Sequence, residues 1–323
     1  MRIIKRTRII VIMLILISFV ALLTGRAEAG KRIGILTFSS QARYLETVRG
    51  IRDALKEAGF GEAEAKITLE DAGANKAKAA ELVQHFSSGN MDLIFTVGTQ
   101  ATIAVTQKVK DVPIVFAQVY DPVAAGIARS WESSGNNTTG ATSKLPMSTL
   151  IDSLMQFVPV KRLGVLYTPG EKNSEIQLKD LQGIQASYGI KVIPVPLARA
   201  EEVMQLLPLV IGSTDALYVT GSNLVNSQLS SIVDLVTKAR LVTISHLEDV
   251  VDQGVLIGVA PSSYLIGRLA GAKAVKIFQG AQPSSIPIET LKEFDVIINL
   301  KTAKAGGFQV PPDFMKTVRS TIE

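Results

Sequence analysis

From Gly30 onward, short β-branched and aliphatic runs alternate with longer segments whose apolar positions recur every three to four residues. In the first half the runs RIGILT (32–37), AKITL (65–69), DLIFTV (92–97) and PIVFAQ (113–118) read as strands. They are continuously apolar, as expected where helices cover both faces of a parallel sheet. The segments between them read as helices. In the first, Tyr44, Val48, Ile51, Leu55 and Ala58 line one face, and Gly59 closes it.

The second half repeats the first. KRIGILTFSS (31–40) is echoed by KRLGVLYTPG (161–170), at an offset of 130 residues. DLIFTVGTQA (92–101) is echoed by DALYVTGSNL (215–224) at 123, and DVPIVFAQ (111–118) by ARLVTISH (239–246) at 128. Strand–helix alternation in two matched halves predicts an α/β protein of two similar Rossmann-like lobes with parallel sheets. After GVLIGVA (254–260) the pattern changes: a long helix over 262–280, a Pro/Ser-rich break (281–287), then strands near Ile288 and over 294–299. A leftover helix and strand that return to different lobes would make a hinge with a cleft beside it.

Composition locates the charge. The 323-residue chain carries a formal net charge of +5, but Arg2, Lys5, Arg6, Arg8 and Arg26 precede residue 30 against a single acid, Glu28. The remainder holds 29 basic and 28 acidic residues, which argues against a nucleic-acid partner. The basic start, the 15-residue apolar run 9–23 and the small residues Ala27 and Ala29 are the three parts of a secretory signal peptide over 1–29. The run falls short of the roughly 20 residues that span a bilayer. The mature protein is therefore expected to be exported to the periplasm or another extracytoplasmic space. With no cysteine and two histidines, no metal or cofactor is expected.

Open parallel sheets bind ligands beyond the carboxyl ends of their strands, where the next helices present free backbone N–H groups. Here those ends are rich in hydroxyls, amides and glycine. The candidate ligand-binding residues are Phe38, Ser39, Ser40, Gly98, Thr99, Gln100, Tyr120 and Asp121 in the first half, and Asn173, Ser174, Gly221, Asn223 and Glu248 in the second. Phe38 or Tyr120 would stack on an apolar part of the ligand, and Asp121 or Glu248 would take an ammonium group. Asp121 also suits a structural role at the turn before Pro122. Catalytic signatures are absent: no G-x-x-x-x-G-K-[ST], G-x-S-x-G or H-E-x-x-H occurs. Ser245, His246 and Asp249 are triad residue types, but such close spacing does not build a relay. His85 reads as a surface residue of the helix over 75–88, Trp131 as packing within a loop, and Asn136–Thr139 as a turn.

The stretch YDPVAAGIARSWESSGNNTTGAT (120–142) resembles the substrate-binding proteins of ABC transporters, in the group with tryptophan- and tyrosine-binding members. The matching residues are Asp121, Pro122, Val123, Ala125, Gly126 and Ile127, then Gly135, Asn136, Asn137, Thr139 and Gly140. LGVLYTPGEKNS (163–174), SYLIGRLAGAKAVKIFQGAQP (263–283) and LKEFDVIINLKTAKAGGF (291–308) extend the likeness over nearly all of 31–310. The resemblance implies a type I periplasmic-binding fold with three crossovers: lobe one over 31–143 plus 261–285, lobe two over 144–260 plus 286–323. It implies a monomeric, non-enzymatic protein that captures a small polar or zwitterionic solute, such as an amino acid, and delivers it to an ABC permease in the membrane. An exported sensor subunit with the same fold, or a two-lobed hydrolase or transferase, are the alternatives. Two positions depart from the family pattern: T-D-N reads Thr220-Gly221-Ser222-Asn223 here, and G-[IV]-D-Y reads Gly258-Val259-Ala260-Pro261. Two carboxylates suited to an α-ammonium group are thus missing.

Overall fold

The structure, a computed structural model, describes residues 30–323; the signal peptide expected over 1–29 lies outside the described residues. The chain opens with β1 (Lys31–Thr37), α1 (Ala42–Glu57), β2 (Ala65–Asp71), α2 (Lys76–Ser88), β3 (Leu93–Val97), α3 (Thr99–Lys108), β4 (Ile114–Val119) and β5 (Thr138–Thr142). It crosses to a second unit of α4 (Met147–Phe157), β6 (Arg162–Tyr167), α5 (Lys172–Ile184), β7 (Lys191–Pro196), α6 (Glu202–Ile211), β8 (Ala216–Val219), α7 (Asn223–Ser227), α8 (Leu229–Lys238), β9 (Val242–Ser245), α9 (Asp249–Asp252) and β10 (Ile257–Ala260). Then follow α10 (Ser263–Phe278), β11 (Glu289–Thr290), β12 (Asp295–Asn299), α11 (Leu300–Gly306), α12 (Pro312–Met315) and β13 (Val318–Ile322).

The strands form two sheets, ordered β2-β1-β3-β4-β5-β11 and β7-β6-β8-β9-β10-β12-β13. The internal repeat is visible in that order. β1 lies between β2 and β3, with Ile33 opposite Leu93, just as β6 lies between β7 and β8, with Leu163 opposite Ala216. The sequence-matched strands β1/β6, β3/β8 and β4/β9 thus hold equivalent places. All pairings are parallel except β10 with β12, where the chain returns from the first sheet and enters the second in reverse. Each sheet is covered by helices and has its own core, one around Ile33, Phe86 and Phe95, the other around Leu163, Tyr218 and Phe314.

Two sequence readings need correction. Asn136–Thr139 is not merely a turn, because Thr138–Thr142 forms β5, fully buried between β4 and β11. Its sequence, TTGAT, carries no hydrophobic signal; its buried threonines satisfy β-sheet sterics without looking apolar. The third crossover also lies later than 286. Glu289 and Thr290 still pair with β5 of the first sheet, and the buried Lys273 ammonium donates to the Pro287 carbonyl at 2.6 Å and to Glu289. Thr139 Oγ1 donates to the Ile286 carbonyl at 2.8 Å, so the segment is held to the first lobe through Thr290.

The long helix after 262 returns to the first lobe and packs on α1, and glycine decides how closely. A Cβ on Gly267 would stand 2.0 Å from the Thr47 carbonyl oxygen, and one on Gly50 would stand 2.1 Å from that of Tyr264. Neither backbone has room to move, since Thr47 Oγ1 also donates to the Ser263 carbonyl at 3.1 Å across the same contact. Gly267→Ala is therefore expected to destabilise by about 1–3 kcal/mol through overpacking, despite alanine's better helix propensity. Gly183→Ala, in open space on α5, should be neutral or stabilising by about 1 kcal/mol. Urea unfolding midpoints of the two variants check the contrast.

Candidate ligand-binding site between the lobes

The carboxyl ends of both sheets face each other across one cavity. Lobe one contributes Arg43 and Tyr44 from the start of α1, Thr99 and Gln100 from the start of α3, Gln118 and Tyr120 from the end of β4, and Ser143 after β5. Lobe two contributes Asn173 and Gln177 from α5, Gly221 and Asn223 after β8, and His246 and Leu247 after β9. The lobes are nearly shut on each other here: the space left between them is about 20 Å³, room for about one water, well below the roughly 300–1,000 Å³ usual for small-molecule sites.

Backbone geometry brings these side chains to the cavity. Gln118 has φ +56°, the left-handed region, and the β4–β5 register shifts between Phe116 and Val119. The strand end is bent so that Gln118 Nε2 reaches Thr47 Oγ1 at 3.1 Å and Tyr120 turns toward the other lobe. Such strain in a non-glycine residue is typically found where function needs it. Gly98 caps α3 at φ +95°, and a Cβ there would stand 2.6 Å from the Tyr44 hydroxyl, so only glycine lets that ring lie across the start of α3.

Polar bonds close the lobes on each other. Arg43 Nη1 donates to both oxygens of Asp249 at 2.9 Å, with each side chain at most 4% exposed. Burial works against the guanidinium charge, but the Asp249 carboxylate outweighs it and holds the Arg43 pKa above its ordinary value. Tyr120 Oη donates to Asp180 at 3.1 Å, and the Ser263 backbone N–H donates to Glu248 at 3.1 Å. Burial drives the Tyr120 pKa well above the usual tyrosine value, with the Tyr218 and Asp180 charges adding to it.

On lobe two the lining is fixed by two hydrogen-bond networks. Glu171, buried at the start of α5, accepts from the Asn223 N–H at 2.8 Å, Asn223 Nδ2 at 3.2 Å, the Leu224 N–H at 3.3 Å and Ser222 Oγ at 3.3 Å. The other joins Gln177, Tyr218 and His246. Gln177 Oε1 accepts from the Gly221 N–H at 3.0 Å and from Tyr218 Oη at 3.3 Å, which leaves its Nε2 to donate to His246 Nε2 at 3.4 Å. His246 Nδ1 then carries the proton and donates to Tyr218 Oη at 2.7 Å. The ring is satisfied by a neutral imidazole. Burial, with the nearby Arg43 charge, lowers the His246 pKa from 6.5 to about 3.

The structure sorts the sequence-predicted candidates. Thr99, Gln100, Tyr120, Asn173, Gly221 and Asn223 line the cavity together, with Gly98 directly beneath Tyr44. Phe38 lies outside it, where the cleft opens, and Ser40 is exposed. Ser39 is buried outside the lining, and Ser174 Oγ is engaged by Thr168 and Glu171. Asp121 is also off the cavity. It accepts from the Val123 and Ala124 N–H groups and from Lys144, the turn-fixing arrangement. Glu248 bonds the Ser263 N–H between the lobes. Ser245 donates to the Val219 carbonyl and Asp249 serves Arg43, so neither is joined to His246 in a relay. Seven further residues line the cavity: the strand ends hold Gln118, His246 and Leu247, which were not among the candidates, and Arg43, Tyr44, Ser143 and Gln177 fall outside that pattern. Gln177 was within reach, since it sits one turn after Asn173 on the same helix face.

Three buried polar atoms on this lining have no partner: Gln100 Nε2, Asn173 Oδ1 and Asn223 Oδ1. The two asparagine amides are oriented by what their nitrogens do, since Asn173 Nδ2 donates to the Gly221 carbonyl at 2.6 Å and Asn223 Nδ2 to Glu171. The cavity therefore offers one free donor and two free acceptors, with no carboxylate among its lining residues.

Residues 32–322 match the family model for "ABC transporter substrate binding protein". The chain belongs to that family. A tyrosine-binding protein of Clostridioides difficile is 28% identical to this substrate-binding protein over 293 residues, covering 90% of this chain and 85% of the relative. Among solved structures, an ABC domain in complex with L-Trp from Streptococcus pneumoniae superposes with a TM-score of 0.86 at 23% identity, covering 91% of this chain and all of the other. A ligand-free, open substrate binding protein with adhesive properties from Clostridium difficile gives 0.72 at 29% identity, covering 91% and 99%.

The neutral His246 makes stability of this substrate-binding protein pH-dependent. Above about pH 6.5 both folded and unfolded chains carry neutral imidazole; between 6.5 and about 3 only the unfolded chain binds the proton, so stability falls as pH drops. At pH 5 the loss from this residue should be about 2 kcal/mol relative to pH 7.5. Denaturant melts of the wild type and His246→Gln at both pH values measure it. The wild type should lose more stability on acidification, and equal losses would refute the assignment.

Proposed function

We propose that the chain is an extracytoplasmic solute-binding protein of an ABC importer that closes its lobes over one small zwitterionic molecule, an amino acid with an aromatic side chain being the best fit. The observation that carries this reading is the set of unpartnered buried atoms. A buried polar group without a partner costs about 1–3 kcal/mol, so a binding site is where such groups have a reason to exist. Gln100 Nε2 suits a ligand carboxylate; Asn173 Oδ1 and Asn223 Oδ1 suit an ammonium group. Tyr44, Tyr120 and His246 supply rings around them for an aromatic side chain.

Several facts support the reading. Both lobes contribute to one lining, so a ligand that touches both shifts the open–closed equilibrium toward the form a permease would recognise. A relative named as a tyrosine-binding protein supports this ligand class, and a protein of the same fold is seen in complex with L-Trp. The fold superposes better on the tryptophan complex than on the ligand-free open protein, although the latter is the more similar in sequence. Among the described residues no helix is long and apolar enough to cross a membrane, which suits a protein that meets its permease from outside.

The test is a melting-temperature screen with the twenty amino acids. A bound ligand at about 100 times its Kd should stabilise by roughly 2.7 kcal/mol, and it should be recovered chemically unchanged. Gln100→Ala removes no hydrogen bond from the free protein but should weaken binding by about 1.5–3 kcal/mol, which is roughly 10- to 150-fold in Kd. Calorimetry that gave equal affinity for the variant and the wild type would remove Gln100 from the site.

A further inference from the structure

Gln100 does not serve the inner cavity alone. That residue also lines two outer spaces of the cleft, one of about 240 Å³ with Asn223, Lys76 and Glu171, the other of about 440 Å³ with Ile103, Ala104 and Lys172. Phe38 and Lys76 line both, so the two outer spaces adjoin, and Gln100 and Asn223 stand on the wall between them and the inner cavity. The character of the walls changes outward. The inner lining is polar and aromatic; the outer groove has an apolar floor between α2 and α3, with Lys76 and Lys108 on the first lobe and Lys172 on the second. A free amino acid held by Asn173, Asn223 and Gln100 would leave the outer groove empty.

We infer that the cleft takes a short peptide, with its free amino end inside and a second, apolar residue in the outer groove. The order of free polar atoms sets that direction. Asn173 belongs to the inner cavity alone, so its free acceptor draws the ammonium group inward. Gln100 stands at the junction, where its free donor meets a carbonyl oxygen one residue along, either the carboxylate of an amino acid or the amide of a peptide. A peptide chain that continues from that carbonyl enters the groove floored by Ile103 and Ala104, and its terminal carboxylate comes among lysines. This inference rests on the amino-end recognition proposed above and extends it by one residue.

The experiment compares, by calorimetry on the mature protein, phenylalanine, tyrosine and tryptophan with dipeptides that carry each of them first and leucine second, and with the N-acetylated dipeptides. At least one dipeptide should bind ten times more tightly than its parent amino acid, and acetylation should abolish binding. Ala80→Trp, an exposed position of α2 on the groove, should remove the dipeptide's advantage and leave amino-acid affinity unchanged; Lys76→Glu should weaken the dipeptide alone. Melting temperatures of both variants verify folding. If an amino acid binds and no dipeptide binds better, the inference is overturned while the amino-acid reading stands. If neither class binds, both are overturned.

Discussion

The Arg43–Asp249 ion pair sets the terms on which the two lobes meet. The arginine stands at the start of α1 in one lobe and the aspartate opens α9 in the other, and both are buried where the lobes meet. Taking two charges out of water roughly cancels their attraction, so a pair like this specifies a geometry more than it stabilises one. Opening the cleft would rehydrate both groups at little net loss. That near-balance is what a binding protein needs. A latch worth many kcal/mol would shut the empty protein, and the small differential contacts of a ligand could then shift nothing. The same pair also uses up the one formal charge on the cavity wall, so a ligand meets neutral amides, hydroxyls and rings.

The neutrality extends to His246, which lies between Arg43 and the Tyr218–Gln177 network. An imidazolium there would face a guanidinium in a dry site and would also lack an acceptor for its second proton, because Gln177 Nε2 points a donor at it. The histidine therefore serves as a fixed acceptor and donor, and it makes an edge-on ring contact with Tyr120 from the opposite lobe at 5.4 Å. Its place at the end of β9 made it visible as a strand-end residue. Its partners were not visible, because they are set by how α5 and β8 pack.

What the sequence makes legible follows from which interactions are local. Strand and helix periodicity, the duplicated strands and the stray C-terminal helix are all encoded in short stretches, and they read correctly as two α/β lobes. β5 escaped because buried threonine strands carry no hydrophobic pattern. The site was half legible. Residues directly after strands, such as Thr99, Gln100, Tyr120 and Asn223, must face the cleft in this topology. Whether a given polar residue there is free or already spoken for depends on contacts made tens of residues away. Asp121 looked like an ammonium ligand but is satisfied by its own turn and by Lys144. Arg43 carries no signal in its own stretch of sequence, because its role depends on Asp249, 206 residues later.

The duplication of the lobes does not extend to how they hold the lining. On lobe two, Asn173 and Asn223 are oriented through their amide nitrogens by a backbone carbonyl and by Glu171, and Gln177 is locked by three neighbours. The free oxygens of the two asparagines are presented without any ordering by the ligand, which keeps the entropic cost of binding low. On lobe one, Gln100 has no partner and is only partly buried, while Tyr44 and Tyr120 are placed by Gly98 and by bonds that reach the other lobe. One half of the site is thus built before closure and the other half is completed by it. For a ligand seated first on the ordered lobe-two side, the contacts with Gln100, Tyr44 and Tyr120 are those gained on closure, and they would supply its differential affinity for the closed form.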